Sequence, residues 1–179
     1  ASIRSFAEYR EILESCIALC TKADLPRPWF SIGQSTGAAV LIETLFLRRY
    51  APDASPFRHW VFLAPLVRPS GWLGVVLLHT LAGGFVRTWR RRWMDNSSDS
   101  EFVRFLKEKD PLQARFVAVE WVSAMRRWVT SIEKNEPLMM PVTIIQGQQD
   151  TTVDWRHNVT KLRTLLPRST VTLLPDGRH

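Results

Sequence analysis

The sequence has only two cysteines, Cys16 and Cys20, four residues apart. Two cysteines cannot form the disulfide framework of a small secreted domain, so free, packed thiols and a reducing, cytoplasmic setting are expected. Long apolar runs are also missing. The longest, Gly71 to Val86, falls short of the ~20 residues that span a bilayer, and it contains Gly83-Gly84. It is expected to be buried or to form part of a lid. No His/Cys cluster has the spacing of a metal site, so no metal or cofactor is expected. Internal repeats and low-complexity tracts are absent. With 45% hydrophobic and 23% charged residues, the composition excludes a disordered chain. The first twenty residues mix charged and apolar side chains as a helix does, unlike a secretory leader. Acidic residues are outnumbered, 17 against 24 basic, for a net charge of +7. Arg87, Arg90, Arg91 and Arg92 hold a large part of that excess.

What is present reads as alternating helices and strands. Residues Ser5 to Cys20 carry Phe6, Tyr9, Leu13, Cys16, Ile17 and Cys20 on one stripe, and Ser5 with Glu8 fits a capping box. Trp29 to Ile32 suits a buried strand ended by Gly33. Ala39, Val40, Ile42, Leu45 and Phe46 mark a helix from Thr36 that Pro52 stops. His59 to Leu63 is a second strand. Pro141 to Ile145 and Thr170 to Leu174 are two more, separated by a helix over Asp154 to Leu166. Residues 66 to 137 show no clear strand. They hold two amphipathic segments, around Phe85 to Met94 and around Phe116 to Ile132, and a polar loop Asp95 to Asp99 that should cap the next helix. Continuous apolar strands alternating with helices predict an α/β fold with a parallel sheet covered on both faces.

The chemistry concentrates at three places. Gly33-Gln34-Ser35-Thr36-Gly37 matches G-x-S-x-G, follows a strand and opens a helix, which is the setting of a nucleophile elbow. Side chains at Gly33 and Gly37 would collide with the crossing backbone, while Ser35 stands clear at a helix N-terminus whose dipole favours developing negative charge. The other reading of Ser35 is a helix N-cap. A serine needs a base, and the base an orienting acid; in enzymes built on such an elbow the acid and then the histidine follow the serine in the chain. Asp150 lies just past the strand end Ile144-Ile145-Gln146-Gly147 and is the expected acid. Asp154 better suits the N-cap of the next helix, and Asp110, before Pro111, is also expected to be a cap. His179, after the last strand, is the expected base. His59 is expected at the surface or a sheet edge, His79 in the core or a lid, and His157 in solvent.

These segments resemble the α/β-hydrolase superfamily, and within it the branch of monoacylglycerol lipase and lysophospholipase-like serine hydrolases, grouped with serine aminopeptidases. Phe30 to Gly37, Ile144 to Asp154 and Leu174 to His179 carry the resemblance. Asp110-Pro111-Leu112-Gln113 and Trp121-Val122 are similar to its cap region. The resemblance implies core segments 1–65 and 138–179 around a helical cap, 66–137, with the sheet forming the C-terminal half of the family's. It implies Ser35, Asp150 and His179 as a triad, the Thr36 N–H as an oxyanion donor, and Gly33 and Gly37 as elbow glycines. Family members have several strands before the elbow and a helix after the histidine. The second oxyanion donor is therefore expected in residues preceding this chain, and the chain is expected to be a fragment without useful activity alone.

Trp72, Leu73, Trp89 and Trp93 are candidates for an acyl pocket; the alternative is that they pack the cap onto the body. Trp89-Arg90-Arg91-Arg92-Trp93 is expected as a solvated helix face with the tryptophans turned inward. Transient contact with a lipid surface is the second reading, and no nucleic-acid partner is expected. The expected function is hydrolysis of a carboxylic ester with an acyl chain through an acyl-enzyme. Cleavage of an N-terminal peptide or amide, or a non-catalytic binding module on the same fold, are the alternatives.

Overall fold

The computed structural model describes residues 3–91, 96–112 and 114–179. Helix α1 (Phe6–Lys22) starts at the expected capping box: the Ser5 hydroxyl accepts from Ala7 N, and Glu8 reaches back to the Ser5 amide. Then follow β1 (Phe30–Gln34), α2 (Thr36–Arg48) and β2 (His59–Leu63). Helices α3 (Trp72–Ala82), α4 (Ser100–Glu108) and α5 (Val119–Ile132) come next, with β3 (Thr88–Arg90) and β4 (Phe116–Ala118) between them. The chain ends with β5 (Val142–Gly147), α6 (Trp155–Leu165) and β6 (Thr170–Leu174).

Strands β1, β2, β5 and β6 form one sheet in that order, every pair parallel. The register sets rows across it: Ser31, Trp60 and Val142 share one row, and Gly33, Phe62, Ile144 and Val171 the next. These rows face the core. There Phe62 and Ile144 are fully buried beneath Ala38, Ile42 and Leu45 of α2, Met125 and Trp128 of α5, and Leu162 of α6, all in one cluster. The α/β parallel sheet is thus as expected, but it is not covered on both faces. Phe30 and Ile32 on the other face of β1 are exposed, because the helices contribute to a single core.

Helix α5 belongs to that core. Val122, Met125, Trp128, Val129 and Ile132 are buried, and Trp128 stacks on Phe6 of α1 at 4.7 Å, a contact worth about 1 kcal/mol beyond its area. Parts of the rest of residues 66–137 differ from expectation. Over its described residues, 85–91, the stretch from Phe85 is not an amphipathic helix, and Arg92 and Trp93 lie outside the described residues. Thr88–Arg90 pairs antiparallel with Phe116–Ala118, since Thr88, Trp89, Phe116 and Val117 favour a pleated strand. Met94 lies outside the described residues. The Gly71 to Val86 stretch is not buried either: α3 has no buried residue, and Leu73, Leu77, Leu81 and Phe85 face outward. Asp99 caps α4 through Glu101 N and Phe102 N, as the polar loop suggested. The two cysteines are free, but Cys16 is exposed rather than packed. Its position is one step off the Phe6–Leu13–Ile17 stripe that meets the core. No helix among the described residues is long and apolar enough to cross a membrane.

Candidate active site

Parallel strands leave all their C-terminal ends on one edge of the sheet, and the three expected groups follow three of those ends. Ser35 comes straight after β1. Its amide still bonds Leu63 O of β2 (2.9 Å), while its carbonyl accepts from Ala39 N and Leu66 N. The backbone there is φ 52°, ψ −113°, a conformation that costs an L-residue of order 1–3 kcal/mol. Ser35 sits at the N-cap position of α2, yet its hydroxyl makes no capping hydrogen bond.

Gly33 explains why the turn is so tight. A Cβ there would lie 2.6 Å from the Gly37 carbonyl carbon and 2.7 Å from Ala38 N, both backbone atoms that cannot give way. Gly37 does not share this role. Among the described residues, a Cβ at Gly37 would meet nothing within 4 Å. We therefore expect Gly33→Ala to cost about 1–3 kcal/mol. Gly37→Ala, inside a helix, should be neutral or stabilising by up to about 1 kcal/mol. Urea denaturation of the two variants checks the pair, and equal losses would show that both glycines are sterically required.

Asp150 follows β5 through a turn and is buried, with the carboxylate fully bonded. Its Oδ1 accepts from Thr152 N (2.8 Å) and Val153 N (3.1 Å), and its Oδ2 from Gln146 Nε2 (3.0 Å). The same Oδ2 meets His179 Nδ1 at 2.8 Å. Burial works to raise the Asp150 pKa. The bond to His179 and its charge, helped by Val153 N–H and Gln146, outweigh burial and hold the carboxyl below the usual range. With Nδ1 turned to Asp150, the His179 ring leaves Nε2 as its other polar atom. Among the described residues no hydrogen bond joins Ser35 to His179; such contacts are often long before substrate binds.

Sequence reasoning missed the groups that hold this arrangement. Gly147 is one: a Cβ there would fall 2.3 Å from the carbonyl oxygens of Gly177 and Arg178. Only glycine lets the 174–179 loop close on the end of β5, where Gln148 N bonds Leu174 O and Gln149 N bonds Gly177 O. Gln146, fully buried in an apolar strand, is the second. A lone amide in such a strand was the available signal. Asn158 is the third, also fully buried. Its Nδ2 donates to Pro65 O and Arg68 O, and its Oδ1 accepts from Arg68 N, so α6 is locked to the loop after β2.

The other candidates occupy different places. Asp154 caps α6 through His157 N. Asp110 follows α4 and holds a turn through Leu112 N rather than a helix start. His59 lies on the inner strand β2, not at an edge, and bonds Thr143 Oγ1 across to β5. His157 is not simply solvated; it meets Glu133 Oε1 at 2.8 Å, and Arg68 grips the same carboxylate at both oxygens. His79 is not a core residue. It bridges α3 to α5 through Ser123 and Arg126 and lies edge-on to Trp89. Trp72 packs against the core cluster, Leu73 is exposed, and Trp93 lies outside the described residues.

Two carboxylates, Glu133 and Asp150, are expected to make stability sensitive to acid. Burial tends to raise the Glu133 pKa, but Arg68 and His157 lower it overall, as His179 does for Asp150. A pKa lowered on folding stabilises above the unfolded value, near 4, and that gain disappears as pH falls through the folded value. Urea midpoints should therefore drop below about pH 4, and Glu133→Gln should weaken the protein at neutral pH while flattening the acid loss.

Several solved structures share the fold. Paleococcus ferrophilus monoacylglycerol lipase superposes with a TM-score of 0.77 at 18% identity, covering 98% of this chain and 67% of that one. A soluble variant of monoglyceride lipase from Saccharomyces cerevisiae, solved in complex with a substrate analog, gives 0.72 at 18% identity over 97% and 60%. Est1E from Butyrivibrio proteoclasticus gives 0.59 at 16% identity over 98% and 62%. The chain thus spans 60 to 67% of the length of these structures, and at these identities the likeness is one of fold. No curated protein sequence is significantly similar to it. The family model Serine aminopeptidase, S33 matches residues 1–179, and with the parallel sheet and its elbow turn this chain belongs to that family of α/β-hydrolases.

Proposed function

We propose that the protein is a serine hydrolase cleaving a carboxylic ester, acylglycerol- or lysophospholipid-like, through an acyl-enzyme. The observation that carries this reading is the buried Asp150–His179 pair, 2.8 Å apart, on the same sheet edge as a serine held in a strained turn. Ser35 Oγ attacks the ester carbonyl as His179 Nε2 takes its proton. Asp150 keeps the imidazole in the tautomer that can accept it and stabilises the imidazolium. The oxyanion is met by the Thr36 N–H, which at the first position of α2 has no acceptor within its own helix. His179 then returns the proton to the leaving alkoxide. Water, activated by the same imidazole, releases the acid and frees Ser35.

The segment 66–137, apart from α5 which packs in the core, acts as the cap in this reading. The outward Leu73, Leu77, Leu81 and Phe85 form an apolar surface of the kind that meets a lipid. Trp72, Leu73 and Trp89, with Trp93, are the proposed contacts for the acyl chain. Two free thiols support a cytoplasmic site of action. A second reading, removal of an N-terminal residue from a peptide, is favoured by the family's description.

The test is a fluorophosphonate label followed by turnover on a p-nitrophenyl ester and on an aminoacyl p-nitroanilide. Ester turnover and labelling by a longer form of the protein, both lost in Ser35→Ala, are expected. Turnover of the anilide alone would favour the peptidase. No labelling in this chain or in any longer form of the protein would favour a binding module.

A further inference from the structure

Strands β3 and β4 pair over only three residues each, and an isolated two-stranded ribbon is marginal in water. Their pairing continues one step further, where Arg91 N donates to Arg115 O at 2.8 Å. Two arginines therefore stand opposite each other at the end of the ribbon. Like charges in that position are destabilising, and an arginine cannot shed its proton to relieve the repulsion. The strands nonetheless bring a third arginine to the same place, and α4 adds a lysine. Arg90, Arg91, Lys107 and Arg115, with Leu106 and Ala114, line a hollow of about 260 Å³. Asp110 is its one carboxylate among the described residues, and Asp110 Oδ1 is engaged by Leu112 N. Among the described residues none of these four cations is ion-paired.

Four cationic residues lining one concave site, against a single carboxylate among the described residues, favour an anion. Guanidinium forks match the tetrahedral oxygens of a phosphate at two points each, and a lysine adds a point charge. The hollow exceeds by several times the ~30 Å³ that one water occupies, enough for a phosphate group with part of its hydration. We propose that this hollow, between β3–β4 and α4, binds a phosphate group, and that the bound phosphate clamps the ribbon to the helix. The site shares no residue with Ser35, Asp150 or His179, so it stands apart from the hydrolase reading and does not need it.

The experiment measures binding rather than turnover, on the whole chain. Inorganic phosphate is titrated by calorimetry, and melting temperatures are compared in phosphate and in chloride at matched ionic strength. Sedimentation with phosphatidylcholine vesicles, with and without phosphatidic acid, separates a free phosphate from a lipid headgroup. We expect saturable phosphate binding and a higher melting temperature in phosphate. Arg91→Gln and Arg115→Gln should each weaken binding about tenfold or more and abolish the thermal gain, while the exposed Arg163→Gln changes neither. Because these side chains are exposed, the variants should melt no lower than the parent in chloride. Recruitment by phosphatidic acid that inorganic phosphate competes for assigns a lipid headgroup; phosphate binding without recruitment assigns a soluble phosphate. The inference is overturned if phosphate does no more than chloride, or if Arg91→Gln and Arg115→Gln respond as the parent does.

Discussion

Replacing Ser35 by alanine in a longer form of the protein should abolish ester hydrolysis, a loss of up to about 10⁶-fold in turnover, while leaving the fold as stable as before. The two effects separate because the hydroxyl makes no capping bond to α2, so removing it forfeits no helix stability. The backbone at φ 52° strains alanine and serine alike. Glycine is different, since it adopts positive φ without the Cβ clash. Ser35→Gly should thus be as inactive as Ser35→Ala and more stable than the parent by about 1 kcal/mol. Turnover on a p-nitrophenyl ester and urea unfolding of the three proteins decide the matter. A Ser35→Ala variant that kept its activity would place the nucleophile elsewhere. A Ser35→Gly variant no more stable than the parent would show that the turn stores no strain.

Asp150→Asn should lower turnover by about 10⁴-fold, whereas Asp154→Asn changes it little. The bonding around Asp150 dictates the first result. Two backbone amides, Thr152 N and Val153 N, point at Oδ1, so an asparagine there would keep its oxygen on that side. Its NH₂ would then face His179 Nδ1 and also the NH₂ of Gln146. Nδ1 would have to accept, the proton would move to Nε2, and the ring could no longer take a proton from Ser35. Donor would also face donor at Gln146, adding a stability cost of about 1–3 kcal/mol. Asp154 only caps α6 through His157 N, a task that asparagine performs about as well. If Asp154→Asn were the damaging change and Asp150→Asn mild, the acid would be Asp154 and the hydrogen bond to His179 incidental.

Much of this site could be read from the chain because its determinants are local. Gly33 precedes Ser35 by two positions, and the clash it avoids is with the backbone of Gly37 and Ala38, only a few residues away. The order of apolar strands and helices, with Phe62 and Ile144 in alternate positions, was enough to place four strands side by side. Gly37 shows the limit of that reasoning. It belongs to the same motif as Gly33, but whether its side would be crowded depends on what crosses it in space, and among the described residues nothing does.

Capping also belongs to the local part. Ser5 with Glu8, Asp99 with Glu101 and Phe102, and Asp154 with His157 all act within four residues, so the identity of the residue and its place in the pattern were sufficient. The sequence by itself therefore determined the starts of α1, α4 and α6, the strands of the parallel sheet and the elbow. The tertiary structure alone decided that β3 and β4 pair, that His157 meets Glu133, that Gln146 and Gly147 hold Asp150 against the 174–179 loop, and that Arg91 stands across from Arg115. Each of these joins residues whose conformational preferences are met equally well apart. Only the closing of long loops brings the partners together, and no periodicity along the chain records which partner that will be.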